Sequence, residues 1–198
     1  MRHRKCIFVA VFCFSLAYLS WSQTKQPSPD SRGTIFEENN YTNPALGMTI
    51  NLPGDWRLLE TTSETPNDPS CTGPLCGRPD INVVLESKPG SNPSYRLYLS
   101  GWKLSAQYLN RNRYPLKWFA GIMLEGSMGS DLVPLEKQTA LQLNGKPAFR
   151  MLAVGRGEKT PRVLGYVSEA NGYVFLLVCA APTNPDPMLS AIEAMKFH

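Results

Sequence analysis

Residues 137–154, KQTALQLNGKPAFRMLAV, and 163–180, VLGYVSEANGYVFLLVCA, decide the fold class. In each, two apolar runs flank an Asn-Gly pair, Asn144-Gly145 and Asn171-Gly172. A two-residue hairpin turn that suits the twist of its strands needs positive φ at both positions, and Asn-Gly accepts that most readily. The pattern predicts four antiparallel strands in a meander: Lys137–Leu143, Ala148–Val154, Val163–Ser168 and Tyr173–Ala180.

Upstream, Met48, Ile50 and Leu52 alternate with Thr49 and Asn51, as in a half-buried strand. Pro53-Gly54-Asp55 ends it, and Trp56–Glu60 resumes. Ile81–Leu85 and Tyr95–Leu104 read as further strands, after a polar loop over Thr61–Pro79. Ser105 caps a short helix through Asn110. Pro115 suits the first position of a longer one, where its missing N–H is not needed. Leu116, Phe119, Ala120 and Met123 then share one face, and Met188, Ala191, Ile192 and Met195 repeat the spacing behind Asp186 and Pro187. A central antiparallel sheet flanked by such helices is α+β, arranged as an α/β/α sandwich.

The chain has 198 residues and a net charge of +4. It opens with Arg2, His3, Arg4 and Lys5, then an apolar run from Cys6 to Leu19, then Ser20-Trp21-Ser22. That is the three-part pattern of a secretory signal, with cleavage after Ser22. The alternative is an uncleaved anchor, but a permanent span needs roughly 20 apolar residues and this run is shorter. Residues 23–40, polar and with Pro27, Pro29 and Gly33, read as a disordered linker, and residues 41–198 as a single domain. An exported protein of this kind is periplasmic or extracellular, with no membrane span after cleavage. Three basic and no acidic residues lie in 1–22, leaving 17 basic and 16 acidic. That near-neutral balance does not support a nucleic-acid partner.

Export places Cys71, Cys76 and Cys179 in an oxidising compartment. Cys71 and Cys76 sit in a turn-rich stretch and read as a local disulfide. Half a zinc site is the competing reading, but no second Cys pair and no internal His completes it. Cys179 lies in an apolar strand and reads as a buried thiol. No metal and no cofactor is expected.

Catalytic patterns are sparse. His198, on a terminus expected to fray, is the only histidine outside the signal, so Ser-His-Asp and Cys-His arrangements lack their base. No phosphate-cradling glycine motif occurs. Ser100-Gly-Trp-Lys103 fits S-x-x-K, yet it lies in a strand-like run without the companion motifs. The chain therefore does not read as an enzyme.

One stretch stands out. Ser87–Leu124 holds no Asp or Glu but carries Lys88, Arg96, Lys103, Arg111, Arg113 and Lys117, among Tyr95, Tyr98, Trp102, Tyr108, Tyr114, Trp118 and Phe119. Two readings stand side by side. In one, the aromatics are core and the cations a solvated face. In the other, Arg111, Arg113 and Lys117 are electrostatic contacts and Trp102 or Tyr114 anchors a docking face.

Tyr41-Thr-Asn, Gly47-Met-Thr-Ile-Asn-Leu-Pro-Gly-Asp-Trp56, Leu143-Asn-Gly-Lys-Pro-Ala-Phe-Arg150, Asn171-Gly-Tyr-Val-Phe-Leu-Leu-Val178 and Met195-Lys-Phe197 occur in that order. Together they resemble a PsbP-like domain of the Mog/PsbP type, over about Tyr41 to Phe197. The resemblance implies an α/β/α sandwich and a protein that binds rather than catalyses. Family members include a photosystem subunit, a Ran-binding protein, envelope proteins and secretion chaperones, with no shared catalytic set. The signal resembles a bacterial export signal, which disfavours a photosystem role. The expectation is an exported, non-catalytic module docking a protein or an anionic envelope component. The alternatives are a secreted hydrolase or a chaperone for an exported partner.

Overall fold

The computed structural model describes residues 35–37, 39–59, 73–75, 79–91, 94–110, 113–128, 132–156, 162–181 and 185–198. The signal region, Cys71, Cys76 and Arg111 lie outside them. Among the described residues twelve strands and two α-helices follow in chain order. They are β1 (Ile35–Glu37), β2 (Asn40–Asn43), β3 (Met48–Asn51), β4 (Trp56–Leu59), β5 (Ile81–Ser87) and β6 (Arg96–Lys103). After a 3₁₀ turn at Ala106–Leu109 come α1 (Leu116–Met128), β7 (Leu132–Pro134), β8 (Thr139–Leu143), β9 (Lys146–Gly155), β10 (Arg162–Ala170), β11 (Tyr173–Ala181), α2 (Asp186–Glu193) and β12 (Lys196–Phe197).

The strands form two antiparallel sheets. The larger runs β4-β5-β6-β11-β10-β9, with β7 and β8 both pairing β9 beyond it. Its second half is the expected meander. Asn144 (φ 44°), Gly145 (φ 81°), Asn171 (φ 50°) and Gly172 (φ 79°) all take the left-handed conformation that the two turns require. The smaller sheet runs β1-β2-β3-β12.

Period-two alternation sends the large sheet's side chains into two cores. On β11, Phe175, Leu177 and Cys179 enter one core with Tyr41, Met48 and Ile50 of the small sheet and Met188 and Ile192 of α2. Val174 and Leu176 enter the other, with Phe119, Ala120, Met123 and Leu124 of α1. The fold is α+β as expected. Helix α1 packs against one core, while the other is closed by a small sheet together with α2 rather than by helices alone.

Four local expectations are corrected. The linker ends sooner than residue 40, because Ile35–Glu37 pairs antiparallel with β2. Ser105 makes no side-chain cap to the 3₁₀ turn. Helix α2 is capped at Pro185 without a side-chain hydrogen bond, so Asp186 is its first residue, where a carboxylate meets the positive end of the helix. His198 is tied down rather than frayed: its N–H donates to the Gly47 carbonyl at 2.7 Å and its Nε2 lies 3.2 Å from Thr49 Oγ1.

Candidate functional site

The acid-free stretch Ser87–Leu124 resolves into two groups of cations. Lys88 reaches Asp55 Oδ2 at 3.2 Å, and Arg96 pairs with Glu86, which also receives Arg57 at 2.6 Å. Both acids come from outside the stretch, so Lys88 and Arg96 are paired with carboxylates that the folded sheet supplies. Burial pushes the Glu86 carboxyl up, but hydrogen bonds and charge from Arg96 and Arg57 outweigh it and hold its pKa below the usual value.

The second group gathers at the start of α1. Asn110 C=O accepts the N–H groups of Arg113 at 3.2 Å and Tyr114 at 2.9 Å, and Pro115 C=O accepts that of Trp118 at 2.9 Å. This turn stacks Tyr108, Tyr114 and Trp118 in sequence: centroids are 4.8 Å apart for the first pair and 5.4 Å for the second, both edge to face. Trp118 continues onto buried Phe119 at 5.0 Å. The Arg113 guanidinium carbon lies 5.4 Å from the Tyr114 ring centre. Tyr108 and Tyr114 lean on the α1-side core, whereas Trp118 is 40% exposed and Ile122, one turn further along the helix, is 46% exposed.

Arg113 and Lys117 are exposed and make no ion pair among the described residues. Helix α1 has no acidic residue in its first turn. The positive pole of its backbone dipole therefore coincides with two side-chain cations, which costs stability. Beside it Trp118, packed on Tyr114 and Phe119, still leaves 40% of its surface in solvent. Together these features form a positive, aromatic surface.

Trp102 is placed differently. It stands on β6, half-buried against the same core, with its indole N–H buried and without a hydrogen-bond partner among the described residues. Trp118 occupies the exposed position; that it and Ile122 fall off the face formed by Leu116, Phe119, Ala120 and Met123 was the available signal. Ser100 and Lys103 sit on one strand three residues apart, so they face opposite sides of the sheet. The S-x-x-K match is thereby fortuitous.

A separate cavity of about 130 Å³ lies between β9, β10 and α2, lined by Glu136, Arg150, Leu152, Leu164, Asp186 and Leu189. Arg150 reaches Glu193 at 3.0 Å and Glu136 at 3.6 Å, and the Tyr166 hydroxyl donates to Glu193 Oε1 at 3.2 Å. Burial, then the Glu193 charge, push the Tyr166 hydroxyl pKa well above its usual value. Two of these carboxylates are engaged by Arg150, so the cluster reads as a structural clasp between sheet and helix. No local sequence pattern announces it, because its members are brought together only by the meander and α2.

No family model matches the sequence, and no curated protein matches it. Solved structures do. A cyanobacterial PsbP from Synechocystis sp. PCC 6803 is 12% identical, over 80% of this chain and 91% of that one, with a TM-score of 0.50. A protein of Bacteroides thetaiotaomicron is 12% identical with a TM-score of 0.48; the match covers 81% of this chain, which spans only 48% of that one. LpqN of Mycobacterium tuberculosis, described as involved in cell envelope biogenesis, is 16% identical over 75% of this chain and 82% of that one, with a TM-score of 0.44. The order of strands, the paired Asn-Gly hairpins and the likeness to the cyanobacterial structure together give this chain a PsbP-like fold.

Proposed function

We propose that this chain is an exported, non-catalytic accessory module of the cell envelope that docks an acidic protein surface through the N-terminal pole of α1. In this reading residues 1–22 are a cleaved signal, residues between it and Ile35 tether the domain, and Cys71 and Cys76 form a local disulfide. In the same reading the domain is an α/β/α-type sandwich, which the packing of α1 on one core and of α2 with the small sheet on the other supports. Arg113 and Lys117 supply the charge, Tyr114 and Trp118 the apolar anchor, and Arg111 adjoins them in sequence. An anionic envelope polymer is the other partner with the required charge.

The observation that carries this reading is the coincidence of Arg113 and Lys117, without ion pairs among the described residues, with half-exposed Trp118 at a helix pole that already bears positive charge. Arg and Trp are the residues that anchor interfaces, and a field of this sign speeds encounter with an acidic partner. The test is cross-linking capture from the native envelope with the parent and with Arg113→Glu/Lys117→Glu. One protein captured by the parent and lost by the variant, with the loss reproduced at high salt, supports docking here. Equal capture by both overturns it.

A further inference from the structure

We infer that β8 is a dimerisation strand, pairing antiparallel with β8 of a second copy of this chain. Among the described residues β8 pairs only with β9, so its other side is an open edge of the large sheet. Edges of this kind are usually blunted by charge, proline or a bulge. The neighbouring part of the same edge is blunted: β7 ends in Pro134, and two extra residues intervene before β8, with the N–H groups of Leu135 and Glu136 both directed at the Leu152 carbonyl. Strand β8 itself, Thr139-Ala-Leu-Gln-Leu143, has neither charge nor proline.

The turn fixes which groups are free. A two-residue hairpin makes Leu143 and Lys146 a hydrogen-bonded pair, so Leu141 with Ala148 and Thr139 with Arg150 are also hydrogen-bonded pairs. Ala140 and Gln142 then direct their N–H and C=O groups away from β9. Both are exposed.

A second copy is the occupant that this arrangement fits. A two-fold axis at Leu141 pairs Ala140 of each copy with Gln142 of the other, which satisfies all four free groups on each edge. Leu141, half-buried against the first core, then meets its own counterpart at the close, non-hydrogen-bonded position. Every residue of the paired segment is uncharged, so two copies of the strand meet without like-charge repulsion, as a self-complementary interface requires.

Leu141→Cys tests the pairing, because Cα atoms at that position stand within disulfide range across the axis. In a buffer of reduced and oxidised glutathione, the latter accepting the two electrons, the purified Leu141→Cys protein should form a dimer linked by a disulfide between the two introduced thiols, mapped by mass spectrometry. An exposed control, Ala106→Cys, should form about tenfold less, since no pairing raises the local concentration of its thiols. Gln142→Pro removes an outward N–H at a position where an edge strand tolerates proline, and should abolish the link in the Leu141→Cys background. Should that variant melt early, Ala140→Glu/Gln142→Glu sets like charges opposite one another on exposed positions and serves instead. Cross-linking no faster than the control, or insensitive to both edge variants, would overturn the proposal.

Discussion

The Tyr114 and Trp118 rings meet edge to face, with centroids 5.4 Å apart and planes at 61°. The contact gives Trp118 a fixed orientation although 40% of it faces solvent. Trp118→Ala should therefore cost only about 1–2 kcal/mol, less than a core aromatic. At about 2–4 °C per kcal/mol, that lowers the melting temperature by roughly 2–8 °C. Capture of the docking partner should fall about tenfold or more, as for an interface anchor. Calorimetry and binding on the same preparation separate the two effects. Unchanged binding would remove Trp118 from the docking surface.

Lys117 separates stability from docking more sharply. A cation in the first turn of α1 opposes the helix dipole, so Lys117→Glu should stabilise the fold by about 0.3–1 kcal/mol at low salt. The same substitution should weaken partner binding. Urea midpoints at two ionic strengths check the first effect, since salt shrinks it. A destabilised variant would show that Lys117 makes a contact important for folding.

Glu86 sets an acid limb on stability. Its folded pKa lies below the ordinary value of 4.5, because Arg96 and Arg57 outweigh the opposing effect of burial. Its contribution is thus complete above about pH 4.5 and is lost as pH falls through the lower folded value. Glu86→Gln should cost about 1–2 kcal/mol at neutral pH, discounted because both arginines are half exposed. The gap to the parent should close below that window. A gap that stays constant down to about pH 2 would assign the loss to packing.

The large sheet was legible because its signals are local. Asn144-Gly145 and Asn171-Gly172 carry their own turn chemistry, and alternation marks β6, as it marks β3 of the small sheet, without reference to partners. What lies beyond local reach was missed. β12 is two residues long and exists because Lys196 and Phe197 pair with Thr49 and Met48, far away in the chain. β1 likewise depends on β2. At the candidate site, the charge and aromatics of Arg113, Tyr114 and Lys117 were visible, but which tryptophan is exposed depends on packing. The place of Trp118 off the core face of α1 could be read from spacing, whereas the partial burial of Trp102 on β6 follows only from the core beneath it.

Two glycines differ in what a methyl group would meet. At Gly47 (φ 58°) a Cβ would lie 2.9 Å from Asn171 Nδ2 and 3.0 Å from the His198 carbonyl oxygen. At Gly165 it would lie 2.7 Å from Leu124 Cδ2, the tip of a flexible side chain. Gly47→Ala adds left-handed backbone strain of about 1–2 kcal/mol to a backbone clash, so it should cost more than Gly165→Ala, about 1–3 kcal/mol. It should also loosen β12, seen as faster amide exchange at His198, whose N–H is held by the Gly47 carbonyl. The reverse order of melting temperatures would mean that the α1-side core yields less readily than the turn.

Cys179 is a buried strand residue in the first core, where Phe175 and Leu177 precede it on the same face. Burial pushes its thiol pKa up to about 12, so almost no thiolate forms near neutral pH. The thiol should resist iodoacetamide at about pH 8 in the folded protein and react in urea, where its pKa returns to about 8.5. Peptide mass mapping reads this residue separately from the other cysteines. Labelling that follows the unfolding curve places Cys179 in the cooperative core. Labelling well below the midpoint would show that β11 opens locally, which is incompatible with its central place between β6 and β10.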